Sequence, residues 1–452
     1  MKKIFINILL LAIALNYSNA QSFDSDRLPI GDINKKYDFC SVKLNKIFNT
    51  NTNRESSFDE MINDLKLKRI VMIGETHTNQ LHHDVQFDLI KGLFESGKPV
   101  VLALEMFNPN QNEALAEWSS GNSDPNTFLE QTDFLTTWSH NYRYYKSIFD
   151  YAREKHIPIY GANVERKYAS KINMGGLGNL TDEDIKILPH IDTSTIEHKF
   201  LIKVLMEGMD AIIPQQFKNM YPAQSLWDAA MGDGAIEAAK KHPEATVVVL
   251  AGSGHVVYNL GIGRTIKNKS NFSFASVVTV DIPSKTEESG MVKVKKDLEK
   301  EEEKKSTSET NMEQMKPTPK SKEENLAKQN PHSVDMIDKI PNRIVIRSYG
   351  DYLIGKQEME EEKFPSFGFS LKEFNKAEFQ IERAFPNTIA YENGLRKGDI
   401  IQSIDENSFT SLFEMKKYLH FKNWGDQISF KIKRADEYKD ISFEIKPIKK
   451  DE

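Results

Sequence analysis

Apolar residues in this chain fall into short continuous runs, spaced by stretches of helical period. Arg69–Gly74, Pro99–Leu104, Ile157–Ala162, Ala245–Ala251 and Ser276–Ile282 are almost unbroken apolar β-formers. Such runs predict strands covered on both faces rather than half-exposed ones. Between the first two, Gln80–Ser96 carries Leu81, Val85, Leu89 and Leu93 on one stripe, which predicts a helix. Tyr144–Lys155 and Ala223–Lys241 read as helices feeding the third and fourth strands. Gly175–Gly208 has no strand pattern and reads as a helical excursion, with Thr181 or Asp182 and Asp192 or Thr193 as N-caps. Strand–helix alternation predicts an α/β unit built on a mostly parallel sheet flanked by helices.

The pattern breaks after Ser284. Residues 284–335 are dominated by Lys, Glu, Ser, Thr and Pro, with no Phe, Tyr or Trp. Such a tract cannot bury enough apolar surface to offset its ordering entropy, so it is expected to be a disordered linker or insertion. Beyond it, 343–356 is β-rich. Residues 362–448 form a second unit, with short strand patterns at Phe367–Leu371, Phe379–Arg383, Ile400–Ile404, Gln427–Arg434 and Lys439–Ile445 and one helix, Ser411–His420. The first unit is expected over 44–283, with its last strand inside 343–356.

The runs end in chemistry. The first stops on Gly74-Glu75-Thr76-His77, the second on Glu105, the third on Asn163 and the fourth on Gly252-Ser253-Gly254-His255. If the strands are parallel, these ends share one edge of the sheet, where ligands of open α/β sheets bind. Helix capping is the plainer use of any one of them, but four together point to a crevice. Two carboxylates, two imidazoles and an amide suit either a divalent metal such as Mn, Co or Zn, or acid–base catalysis. Glu75, His77, Glu105 and His255 are the expected catalytic groups, and Glu75, His77 and His255 the metal ligands of the first alternative. One of His82 and His83 is expected to face the crevice and the other solvent. His140, His156, His190, His198 and His242 lie in polar surroundings and are expected at the surface. The aromatic stretch Trp138–Tyr145 is either helix packing or a wall of the crevice; Asp228 is either a core neighbour or at its mouth.

The 452-residue length favours two domains, and a formal net charge of −6 gives no reason to expect a nucleic-acid partner. Met1-Lys2-Lys3, the apolar run Ile4–Leu15 and Ser18-Asn19-Ala20 have the form of a signal peptide over 1–20. The mature chain is then expected to have no transmembrane span and to work in the periplasm or cell envelope of a bacterium. Cys40 is the single cysteine, which leaves no internal disulfide.

Gly74-Glu75-Thr76-His77, His82-His83 with Gln86, Leu104-Glu105-Met106-Phe107, Gln224 with Asp228-Ala229-Ala230-Met231, and Ala251-Gly252-Ser253-Gly254-His255 together resemble the ChaN-type haem-binding uptake family of the Tiki and erythromycin-esterase superfamily. The resemblance covers about Phe58 to Ile282, and Asp351-Tyr352 is similar to that family's final strand. It implies haem binding in iron uptake, as a homodimer, with the iron held through tyrosine. Tyr142 best fits the aromatic-Tyr-Arg pattern, Tyr144, Tyr145 and Tyr258 being alternatives, and His83 and Asn163 are the further cofactor contacts. The hydrolases of the superfamily imply the other use of the same crevice, a metal-dependent hydrolase. In the second unit, Ser366-Phe367-Gly368-Phe369 and Gly394-Leu395-Arg396-Lys397-Gly398-Asp399-Ile400-Ile401 resemble the carboxylate-binding loop and following turn of PDZ domains. That implies a PDZ-like β-rich fold binding a C-terminal peptide or protein through Phe367, Gly368, Phe369, Met415 and Leu419.

Overall fold

The structure, a computed structural model, describes residues 24–138, 140–207, 214–284, 340–375 and 378–448. The expected signal peptide and nearly all of the charged tract lie outside the described residues.

The strands in chain order are β1 Phe39–Lys43, β2 Ile47–Asn49, β3 Arg54–Ser56, β4 Ile70–Glu75, β5 Val100–Leu104, β6 Ile159–Gly161, β7 Thr246–Gly252, β8 Phe274–Ile282, β9 Asn342–Ile346 and β10 Tyr352–Gln357, followed by β11 Phe369–Asn375, β12 Glu378–Ala384, β13 Ile400–Ile404, β14 Gln427–Arg434 and β15 Glu437–Glu444. The main sheet has the order β3-β2-β10-β8-β4-β7-β5-β6. From β10 to β6 every pairing is parallel; β2 and β3 close one edge as an antiparallel hairpin.

The unbroken apolar runs follow from this position. Side chains alternate between two faces along a strand. Val71 and Ile73 of β4 enter one core with Val248 and Leu250 of β7 and Leu102 of β5. Ile70 and Met72 enter the opposite core with Val247, Val249 and Val101. Helix Gln80–Glu95 covers the first face through Val85, Leu89, Ile90 and Leu93; Asn79 caps it by accepting the Leu81 N–H at 3.0 Å. Helix Pro214–Lys241 covers the second through Met231, Ala235 and Ala239. It starts earlier than its pattern predicts and runs through Pro222, which reads as a helix start because proline has no N–H to donate. The helical excursion is present, with N-caps at Thr181 and Thr195 rather than at Asp192 or Thr193.

The β-rich segment 343–356 is two strands in different sheets. β9 pairs antiparallel with β1, and β10 enters the main sheet between β2 and β8. The turn between them is pinned by Asp351, whose Oδ2 accepts from the Ser276 N–H and hydroxyl at 3.0 and 3.1 Å. Strands on both sides of the charged tract thus complete one unit. Cys40 is buried in β1, and burial pushes its thiol up to about 12. Among the described residues, no helix is long and apolar enough to cross a membrane.

The C-terminal unit is an antiparallel sheet in the order β11-β12-β13-β14-β15, closed by helix Leu412–His420 over its own core. Asp399, fully buried after the Gly398 turn, is its polar anchor. It accepts from the Arg434 guanidinium at 2.7 and 2.8 Å and from the Arg396 N–H at 2.8 Å. Removing one partner of such a buried pair leaves the other donors unmatched. Asp399→Ala is therefore expected to destabilise this unit by about 3 kcal/mol. Urea unfolding monitored by C-terminal-unit resonances checks it; an unchanged midpoint would show that the pair contributes nothing.

Candidate functional site

Five parallel strands deliver their carboxyl ends to one crevice of about 1080 Å³. Glu75, His77, Glu105, Asn163 and His255, the polar strand ends picked out in the sequence, all line it. Trp138, Trp227, Met106 and Leu205 supply apolar wall, and Arg166 and Lys167 stand exposed at its mouth.

Glu75 closes β4 and is 2% exposed. A buried carboxylate is stable only if paired. Its Oε1 accepts from the Tyr145 hydroxyl at 2.6 Å and lies 2.8 Å from His77 Nδ1; its Oε2 lies 3.2 Å from His83 Nδ1. Burial would raise the Glu75 carboxyl, but His83 and His77 hold it well below the usual carboxylate range. His83 is fully buried and does not line the crevice. Its Nε2 faces the His77 carbonyl at 3.1 Å and its Nδ1 faces Gln86 Oε1 at 3.0 Å as well as Glu75. Oxygen acceptors on both sides demand two N–H donors, and the ring's pKa is raised despite burial. His82 is also buried, contrary to the expectation that one of the pair faces solvent. It accepts the Thr76 N–H at 3.0 Å and reaches Asp281 at 3.0 Å, fixing the loop that carries His77.

With Nδ1 engaged by Glu75, His77 presents Nε2 toward Gly252 and Glu105. A methyl group built on Gly252 would sit 3.1 Å from that nitrogen and 3.7 Å from Glu105 Oε2, so the absence of a side chain lets the two groups approach. Glu105 accepts the Gly252 N–H at 2.6 Å through Oε2, and its Oε1 is 3.5 Å from His255 Nε2. His255 Nδ1 is 2.8 Å from Asp228 Oδ1. Asp228, fully buried, also lies 3.1 Å from His198 Nε2. Burial would lower His255, but Asp228 first and Glu105 after it raise it to about 9. The two imidazole–carboxylate pairs, Glu75–His77 and Asp228–His255, therefore face Glu105 from two sides. That arrangement can hold and move protons at His77 Nε2 and His255 Nε2.

Several expected roles fall elsewhere. Tyr142 does not reach the crevice: it is 2% exposed, stacked on Phe149 at 5.7 Å and edge-on to Phe134 at 5.6 Å, because the turn before helix Lys146–Glu154 directs it into the aromatic core. Tyr258 is committed to Leu28 and Ser25, and Tyr144 to Phe364. Asn163 is nine-tenths buried and spends its amide on the Glu105 carbonyl at 3.2 Å and the Val164 N–H at 2.8 Å. The proposed metal set of Glu75, His77 and His255 is not assembled: among the described residues no group of three or more His, Cys, Asp or Glu side chains is placed to hold an ion, each carboxylate being turned to its own imidazole.

Two histidines expected at the surface belong to the site. His198 is fully buried against Asp228. His140 lines the crevice with its ring 4.5 Å from that of His77 and 5.3 Å from Trp138. Burial first, then the neighbouring His77 charge, lowers it to about 4, so it is a neutral imidazole near neutrality. Its place in an aromatic stretch was the one sequence signal; His198 had none.

In the C-terminal unit Phe367, Met415 and Leu419 are buried in its core, whereas Phe369 is half-buried at the start of the edge strand β11. Gly368 adopts a φ of +71° in the preceding loop, whose shape is held by Phe385 N–H to Gly368 O and Ala390 N–H to Phe367 O.

Residues 61–266 match the family model of haem-binding uptake, Tiki superfamily, ChaN, and residues 371–445 match that of the PDZ domain. The chain thus carries a ChaN-type region followed by a PDZ domain. Among solved structures it is similar to the cofacial haem-binding ChaN of Campylobacter jejuni, at 20% identity and a TM-score of 0.43, covering 52% of this chain and 90% of that one. It is also similar to an erythromycin esterase in its open conformation, at 13% identity and a TM-score of 0.34, covering 55% and 78%. An HtrA-type protease with a bound decapeptide matches at 17% identity and a TM-score of 0.18, over 18% of this chain and 29% of that one. No curated protein matches.

The Asp228–His255 pair makes stability depend on pH with a defined sign. His255 rises from 6.5 to about 9 on folding, so its contribution is full below pH 6.5 and is lost as pH rises through about 9. Asp228 falls from 3.8 to about 2, so its contribution is full above pH 3.8 and is lost as pH falls through about 2. Asp228→Asn is expected to lower the urea midpoint most at about pH 6, and much less at about pH 10. An equal loss at both would deny the coupling.

Proposed function

We propose that the first domain binds haem in its crevice, as part of bacterial iron uptake outside the cytoplasm, and that the PDZ domain docks the C-terminal peptide of a partner. The match of residues 61–266 to the haem-binding uptake family carries this reading. The crevice fits the group. It is roomy, has tryptophan walls for a flat aromatic ligand, and exposes a neutral imidazole, His140, able to ligate iron. Haem, when bound, supplies the iron that is carried.

The chain's own groups do the rest. His140 offers nitrogen to the iron, and Trp138 and Trp227 exclude water from the ligand's faces. Arg166 and Lys167 at the mouth pair with the propionate carboxylates. Glu75 sets the rotamer and tautomer of His77, which packs edge-on to Trp138 at 5.0 Å and orders that wall. In the PDZ domain, the open edge of β11 accepts a peptide as an added strand, its terminal carboxylate at the Phe367–Phe369 loop. Export rests on the signal-like pattern of residues 1–20.

The paired imidazole–carboxylate dyads around Glu105 favour a second reading, hydrolysis of an ester or amide. There His77, held by Glu75, takes a proton from the attacking water, and His255 donates one to the leaving group.

Haemin titrated into the full chain is expected to give a saturable Soret band whose position and affinity change in His140→Ala and are kept in Tyr142→Phe. No saturable band would overturn the haem reading, and a band unaltered in His140→Ala would overturn the assigned ligand. The second reading predicts turnover of a chromogenic ester that falls by a factor of about 10² or more in His77→Ala and His255→Ala. Turnover equal in wild type and both variants would remove it.

A further inference from the structure

The stretch from Phe134 to Tyr145 is used twice. One side of it builds the crevice. Thr136, Thr137, Trp138 and His140 line the wall, Trp138 and His140 contact the His77 ring, and the Tyr145 hydroxyl donates to Glu75 at 2.6 Å while accepting from Trp138 Nε1 at 3.3 Å.

The other side carries the PDZ domain. Asn141 Nδ2 donates to the carbonyl of His420, the last residue of helix Leu412–His420, at 2.9 Å. Arg143 donates to the Lys422 carbonyl and to Asn423 Oδ1, both at 2.7 Å, and its guanidinium stacks 4.0 Å from the centre of the Phe364 ring. Phe413, on the same helix, packs against the first domain's core, and Lys417 reaches Asn126 at 2.7 Å. Phe364, in the segment leading into the carboxylate-binding loop, packs on Tyr144 at 4.8 Å.

The two sides are joined by very little chain. Asn141 bonds its own Arg143 N–H at 3.0 Å, and Tyr145 follows after a single 3-10 turn, Tyr142–Tyr144, whose Tyr142 is locked in the aromatic core. A segment packed on both faces has little room to adjust to one side alone. Helix Leu412–His420 is also the helix that walls the peptide groove beside β11. A peptide entering that groove therefore pushes on a helix whose C-terminal end and following turn are bonded to the stretch that positions Trp138, His140 and Glu75.

We infer that the PDZ groove and the crevice are energetically coupled through residues 134–145, so that a bound C-terminal peptide changes the position of His140 and Trp138 against His77. The coupling needs no particular ligand in the crevice. It holds whether the crevice binds haem or performs hydrolysis. Linkage makes it reciprocal: a change at the crevice wall alters peptide affinity by the same factor with which peptide alters the crevice. The measurement therefore reads both ends.

The experiment uses the full chain with ¹³C-labelled histidine and a decapeptide ending in phenylalanine with a free carboxylate, its C-terminally amidated form serving as control. The free-acid peptide is expected to bind saturably and to shift the His77 and His140 ring resonances along the same isotherm. Arg143→Lys keeps the charge but cannot make the forked contact with Lys422 and Asn423. It is expected to retain peptide binding while losing most of the shift at His77 and His140. His140→Ala is expected to change peptide affinity about fivefold, the lower end of common coupling strengths. Saturation of the groove with His77 and His140 unmoved would overturn the inference, as would a peptide that does not bind, or an Arg143→Lys chain whose shifts are undiminished. Because no haemin is added, a failure here is separate from a failure of the haem reading.

Discussion

The buried carboxylate of Glu75 is the constraint around which the first domain's functional end is arranged. Buried at the end of a covered strand, it depends on donors and positive charge supplied by the protein. Tyr145 and His77 bond one oxygen, and His83 stands against the other. Those donors come from three different segments: the loop after β4, the helix Gln80–Glu95 and the turn before Lys146–Glu154. Satisfying one carboxylate thereby fixes the relative position of all three. The same demand is met at Asp228, which His255 and His198 approach from the strand β7 end and from the helical excursion. Two buried acids, each clamped between imidazoles, leave Glu105 between them as the one carboxylate of the group that faces both dyads.

The parallel sheet makes this convergence inevitable. When β4, β5, β6, β7 and β8 all run the same way, every polar residue that ends a strand arrives at one edge. The sheet itself is held by alternation of apolar side chains into two cores. The aromatic turn Tyr142–Tyr144 then divides labour among neighbouring tyrosines. Tyr142 packs, Tyr144 meets the PDZ segment, and Tyr145 serves Glu75. Three tyrosines within four residues take different roles because a 3-10 turn sends them in different directions.

The PDZ domain is attached through polar bonds to backbone carbonyls as well as through Phe413 and Phe364. Bonds to carbonyls depend little on the partner's side-chain identity, which is why no pattern in residues 362–448 announced the contact. The interface also explains why His420, at the end of the PDZ helix, is half-buried. Loss of solvent first, then the charges of Lys416 and Arg143, lower its pKa to about 4 and keep it neutral.

By itself the sequence determined the α/β class, the strand ends that form the crevice, and the PDZ module, because each of these is written in local period or in short ordered motifs. Unbroken apolar runs require two-sided burial, and Glu75, His77, Glu105, Asn163 and His255 were identifiable as the polar residues that end them. Tertiary structure alone decided which imidazole meets which carboxylate, that His198 and His140 belong to the site, that Tyr142 is core, and that β9 and β10 sit in separate sheets beyond a long charged tract. Periodicity reports which face of its own element a side chain takes. It carries no information about what another element brings to that face, and a histidine in a polar stretch reads the same whether water or a buried aspartate lies opposite.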